Sequence, residues 1–145
     1  MKLFLAFILF ITATSVEWLA NFDTAKDIAA RENKYILISF SGSDWCGPCI
    51  KMKKEVFESE AFLSIAENKL VLVCADFPRS KKNQLSKEQI KHNEGLAEKY
   101  NPLGKFPYTV LLDKDGKVIK EWDGYVFASH DKFIDALNQE LLSKI

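Results

Sequence analysis

The most constraining feature of this chain is residues 35–49, YILISFSGSDWCGPC. The stretch over 35–40 is β-branched, aromatic and nearly all apolar, which predicts a strand covered on both faces. It breaks into the polar turn SGSD and then into Cys46 and Cys49, separated by Gly47-Pro48. A strand of this kind needs packed layers on either side, so a helix-flanked sheet is expected, with the cysteines where the strand hands over to a helix.

That position has chemical consequences. With the helix starting at or near Cys46, unpaired N–H groups and the positive end of the helix dipole face its sulfur. A thiolate is stabilised there and the thiol is acidified. Cys49, one turn on, is close enough to close a disulfide with Cys46 or to attack a mixed disulfide made by it. Pro48 falls in the first turn, where its missing N–H costs nothing, and Gly47 leaves room for an approaching chain. A zinc site would need a second pair of ligands. Only Cys74, in an expected buried strand, and the isolated His92 and His130 remain. A purely structural disulfide would close a very small loop and constrain the unfolded chain little. Two unrelated core cysteines do not suit a polar turn. A redox-active pair explains the stretch best.

Around this centre the chain alternates. Residues 18–34 carry Phe22, Ala25, Ile28 and Ala29 at helical spacing, with Asp23 or Thr24 as the expected cap. After the cysteines, Ile50, Val56 and Phe57 mark the inward side of a lysine-rich helix, and a second helical piece covers 59–68. Residues 70–75 (LVLVCA) read as another buried strand, giving a parallel βαβ unit. Segment 78–83 is polar and loop-like, and the wider insert 78–93 is read as a solvated loop rather than a partner contact. Ser86 to Gln89 fits a capping box for a helix that ends at Asn101-Pro102-Leu103-Gly104. Strands over 108–112 and 117–122, joined by Asp113-Lys114-Asp115-Gly116, form an antiparallel hairpin. Ser129 is placed to cap a last helix bearing Phe133, Leu137 and Leu141. The fold class is α/β, a mixed sheet flanked by helices.

The first residues differ. Met1-Lys2, the apolar run at 3–11 and the small polar TATS have the order of a secretory signal, with cleavage expected near Ser15. The run is well short of the ~20 residues that span a bilayer. Residues 1–15 are therefore read as a signal peptide and 16–145 as one domain, working where disulfides persist. The 20 basic and 20 acidic side chains among 145 residues give a formal net charge of +0. A nucleic-acid partner is not expected from that balance.

Asp44-Trp45-Cys46-Gly47-Pro48-Cys49, with Phe106-Pro107-Tyr108 ahead of the hairpin and Gly124 after it, resembles the thioredoxin family. Trp18, the FSGSDWC turn and KKEVF resemble its exported bacterial branch. The resemblance covers essentially the whole of 16–145. It implies a thioredoxin fold and a thiol–disulfide oxidoreductase with Cys46 as nucleophile and Cys49 as resolving cysteine. No metal or organic cofactor is implied, because the two sulfurs carry the electrons. It implies that Pro107 is a cis-proline, that the backbone before it, at Phe106, pairs with bound substrate, and that Trp45, Gly47 and Pro48 complete the contact surface. A proline opening a strand needs a special position in any case, since it cannot donate to the ladder. Trp45 is expected to be partly exposed beside the sulfur, Asp44 to be a turn residue, and Cys74 to be an inert buried thiol.

The Gly-Pro linker resembles the reducing members, so the expectation is a monomeric periplasmic reductase of protein disulfides, recharged by a membrane-bound electron donor. The alternatives are a disulfide oxidase or isomerase on the same fold, and a non-catalytic binding module. One departure stands out. Where the family commonly keeps a buried aspartate that takes up protons, this chain has Ser39, which cannot act as a base in the same way.

Overall fold

Side chains alternating along three central strands divide the core of the computed structural model, which describes residues 16–125 and 130–143. The sheet has five strands, β1 (Trp18–Leu19), β2 (Tyr35–Ser41), β3 (Leu70–Asp76), β4 (Tyr108–Leu112) and β5 (Val118–Asp123), in the order β1-β3-β2-β4-β5. β3 runs parallel to both β1 and β2, whereas β4 is antiparallel to β2 and to β5. This is the mixed sheet expected, with a parallel βαβ unit and a C-terminal hairpin.

Because successive strand residues face opposite sides, Ile36, Ile38 and Phe40 pack with Val71, Val73 and Ala75 against α1 (Phe22–Glu32) and α4 (Lys87–Tyr100). Leu37, Leu70, Leu72 and Leu111 face the other way. They meet α2 (Gly47–Met52), its π-helical continuation Lys53–Phe57, α3 (Glu60–Lys69) and α5 (His130–Leu142). On that second face the apolar rows end in polar residues. Ser39 is in register with Cys74 on one side and Thr109 on the other, and Ser41 with Asp76. These residues lie at the end of the sheet where α2 begins.

Three local expectations are corrected. Trp18 and Leu19 are not helical; they form the short edge strand β1, and Trp18 meets Phe57 at a tilt, with centroids 4.9 Å apart, and lies parallel to Phe62 at 6.3 Å. The cap of α1 is Asn21, whose Oδ1 accepts the Thr24 N–H at 2.9 Å, rather than Asp23 or Thr24. The capping box at α4 is half made. Ser86 Oγ accepts the Gln89 N–H at 3.1 Å, but the Gln89 amide donates to Ala20 O and Asn93 Oδ1 instead of reaching back. The expected leader 1–15 and the cap Ser129 lie outside the described residues.

Candidate functional site

β2 delivers the chain to a tight turn. The Gly42 carbonyl accepts the N–H of Trp45 at 3.3 Å and of Cys46 at 2.9 Å, which sets Cys46 at the N-cap of α2 with extended backbone angles. Its Sγ accepts the Cys49 N–H at 3.2 Å, taking one of the helix's otherwise unpaired donors. The two cysteines form a disulfide with Cα atoms 5.2 Å apart. Cys46 and Cys49 are 5% and 4% exposed, while Gly47 and Pro48 between them face solvent. Open space surrounds Gly47, with nothing within 4 Å of where a Cβ would stand. Ile50 does not join Val56 and Phe57 in the core as expected. It is 50% exposed, because Cys49 and Met52 take the inward positions of this first turn.

Trp45 is half-buried and held from three sides. Its Nε1 donates to the Phe77 carbonyl at 2.7 Å, the Phe106 ring meets it edge-on at 5.4 Å, and the Arg79 guanidinium carbon lies 3.8 Å from its ring centre. Gly42 makes this seat possible. A Cβ there would fall 2.2 Å from the indole. Phe77 in turn meets Phe106 edge-on at 5.5 Å. Neither Phe77, Arg79 nor Gly42 is marked by any local sequence pattern, since each acts through residues distant in the chain or through missing atoms.

Asp44 does more than shape a turn. Its carboxylate accepts the N–H of Arg79 at 2.9 Å, the N–H of Ser80 at 2.9 Å and the Asn83 amide at 3.0 Å. These bonds hold its carboxyl below the ordinary value of 3.8, the Arg79 bond contributing most. The loop after β3 is thereby pinned beside the cysteine turn. Only its front is loop, however: residue 87 begins α4, and Asn93 is buried, its amide donating to the Asp76 carbonyl at 2.9 Å.

The Phe106-Pro107 bond is cis. The segment before it is fixed by buried Asn101, whose side chain both accepts the Lys105 N–H at 3.0 Å and donates to the Lys105 carbonyl at 2.9 Å. Beyond it, the Gly124 N–H donates to the Pro107 carbonyl at 2.9 Å. Gly124 has a φ of 77°, where a side chain would be strained. Among the described residues, no hydrogen bond engages the backbone of Phe106.

Behind the disulfide is a cavity of about 360 Å³ lined by Cys49, Ser39, Cys74, Lys53 and Asp76 among others. Ser39, at 7% exposure, leaves it without the carboxylate that an aspartate would place there. Asp76 supplies one from the neighbouring strand, its Oδ1 accepting the Ser43 N–H at 2.9 Å. Cys74 is half-buried on this cavity rather than fully buried as expected; desolvation still pushes its thiol up to about 11, and the Asp76 charge adds to the shift. His92 is engaged elsewhere, its Nε2 accepting the Phe22 N–H at 3.0 Å.

A model of the thioredoxin-like domain matches residues 22–140. The disulfide bond reductase DsbH of Chlamydia pneumoniae is 36% identical over 107 residues, covering 74% of this chain and 62% of that protein. The thioredoxin-related protein DsbJ of the same organism is 31% identical over 106 residues, covering 72% of this chain and 29% of that one. This chain thus spans less than two thirds of either relative. A solved DsbH oxidoreductase superimposes with a TM-score of 0.75 at 27% identity, covering 97% of this chain and 94% of that one. The matched domain takes in both cysteines, the cis-proline and all but the first strand of the sheet: the chain belongs to the thioredoxin-like family.

Proposed function

We propose that this protein is a thiol–disulfide oxidoreductase that reduces protein disulfides through Cys46 and Cys49. The observation that carries this reading is Cys46 at a helix N-cap, its sulfur bonded to Cys49 and accepting the Cys49 N–H. An N–H aimed at that sulfur from the start of a helix favours its thiolate once the pair is reduced. The thiolate attacks one sulfur of a substrate disulfide, forming a mixed disulfide and releasing the other substrate sulfur as thiolate. Cys49 then attacks the Cys46 sulfur, releasing the reduced substrate and closing the Cys46–Cys49 bond. Two electrons pass to the substrate, and no metal or organic cofactor takes part.

Recognition follows from the surroundings. Exposed Gly47 and Pro48 let a substrate chain approach, and the Phe106 backbone, free of internal bonds among the described residues, offers it a short pairing edge beside Pro107. Trp45 forms one wall. To attack, Cys49 must lose a proton, and Asp76, on the same cavity, is the acceptor that takes the place of the carboxylate missing at Ser39. Every group in this scheme comes from one chain, so the chemistry needs no residue from a second copy, and a monomer is the form proposed.

The leader-like residues 1–15 support export to the bacterial periplasm. A reductase there must be recharged, and a membrane-bound thiol donor is the partner that fits. The reducing direction rests on the Gly-Pro linker and on similarity to a protein named as a disulfide bond reductase. Equilibration of the Cys46–Cys49 couple with glutathione tests it. A reduction potential near about −270 mV fits a reductase, and one near about −120 mV assigns the protein to oxidation instead.

A further inference from the structure

The loop pinned to the cysteine turn is charged in a way that the whole chain is not. Although the net charge is +0, the loop and helix start at 78–87 (PRSKKNQLSK) carry Arg79, Lys81, Lys82 and Lys87 without a single acid, and all four cations are exposed. The two carboxylates bonded to the cysteine turn or to this loop are already occupied. Asp44 accepts three hydrogen bonds from this loop, and Asp76 accepts the Ser43 N–H and hydroxyl. Among the described residues Arg79 forms no ion pair. It lies across the Trp45 ring, its backbone N–H fixed by Asp44, so the guanidinium stands over an aromatic wall of the disulfide site rather than swinging in solvent. A guanidinium stacked in this way keeps its N–H edges available and is well suited to a carboxylate.

We propose that Arg79 is a specificity-determining residue that selects disulfide-bearing protein segments with an acidic side chain beside the target cysteine, with Lys81 and Lys82 extending the same preference. This deepens the reductase reading and rests on it. The Asp44 clamp is the positioning device: it links the cysteine turn to the loop, so the charge is registered to the reacting sulfur. Because the field is local and surface-exposed, it acts on capture of substrate and is screened by salt.

The test uses three disulfide-bridged peptides identical except for Glu, Gln or Lys next to one cysteine. Each is reduced in single turnover by the pre-reduced protein, at low and at high ionic strength. Reduction of the Gln peptide tests the reductase reading itself, and a wild-type protein unable to reduce it overturns both readings. Given that activity, the Glu peptide is expected to be reduced about tenfold faster than the Lys peptide at low salt, a ratio that falls toward one in high salt. Arg79→Gln should bring the ratio down to within about twofold, and Arg79→Glu should invert it. Taking the ratio within each variant cancels any general effect on the chemistry. Equal wild-type rates for the Glu and Lys peptides, or a preference that survives in Arg79→Gln, overturns the inference while leaving the reductase reading intact.

Discussion

Gly42 lies directly beneath Trp45: a Cβ on residue 42 would be 2.2 Å from the indole Cε2 and 2.5 Å from Cζ2. The indole has no slack, because Phe77, Phe106 and Arg79 hold it on other sides. Gly42→Ala must therefore lift Trp45 from its seat. The expected cost is about 1–3 kcal/mol, read as a lower midpoint in thermal unfolding, with slower reduction of a protein disulfide. Unchanged stability and rate would show that the seat is not needed.

The loop clamp has a defined pH response. The Asp44 carboxyl is held below the ordinary 3.8 by bonds to its charged form, so the clamp's contribution is fully present above that value. It is lost only as pH falls through the lowered folded-state value. The Arg79 and Ser80 amides should stay protected from hydrogen exchange between about pH 7 and 4, and lose protection below that range. Asp44→Asn should expose them at every pH. Rapid exchange of both amides in the wild type at pH 6 would contradict this.

Cys74 should be chemically silent. With its thiol pushed up to about 11 by burial and by Asp76, only about one molecule in a thousand carries the reactive thiolate at pH 8. In the oxidised protein, where Cys46 and Cys49 are tied up, iodoacetamide should leave mass unchanged at pH 8 and add one label after denaturation. Rapid native labelling would mean that the site is open.

Asp76 is assigned the proton from Cys49 because both line the cavity behind the disulfide. Asp76→Asn keeps the shape but removes the base. Resolution of a preformed Cys46 mixed disulfide, followed by rapid quench, should slow by about tenfold or more near neutral pH and recover as pH rises. An unchanged rate would assign the proton to water instead.

The elements that carry the site were legible because their signals are local. The apolar run at 35–40 could only be a covered strand, Pro48 and the cysteines marked a helix start, and Asp113 to Gly116 marked the hairpin turn. What escaped is set by contacts across the chain. Trp18 and Leu19 form a strand only because β3 offers them an edge, so helical spacing downstream drew them into the wrong element. Asp44 looks like an ordinary turn residue until Arg79, 35 positions later, brings its loop onto the carboxylate. Gln89 has the spacing of a capping box but finds better partners in Ala20 and Asn93. The absence of an acid at Ser39 was visible; Asp76 on the same cavity emerges only when β2 and β3 lie side by side.

The most direct test of the central claim is covalent trapping. Cys49→Ser, expressed with residues 1–15 retained and directed to a bacterial envelope, should accumulate as mixed disulfides through Cys46 that collapse on treatment with dithiothreitol, because the resolving sulfur is gone. Cys46→Ser should form none. Equal adduct levels in the two variants, or no adducts in Cys49→Ser together with full function in Cys46→Ser, would contradict a Cys46 nucleophile resolved by Cys49.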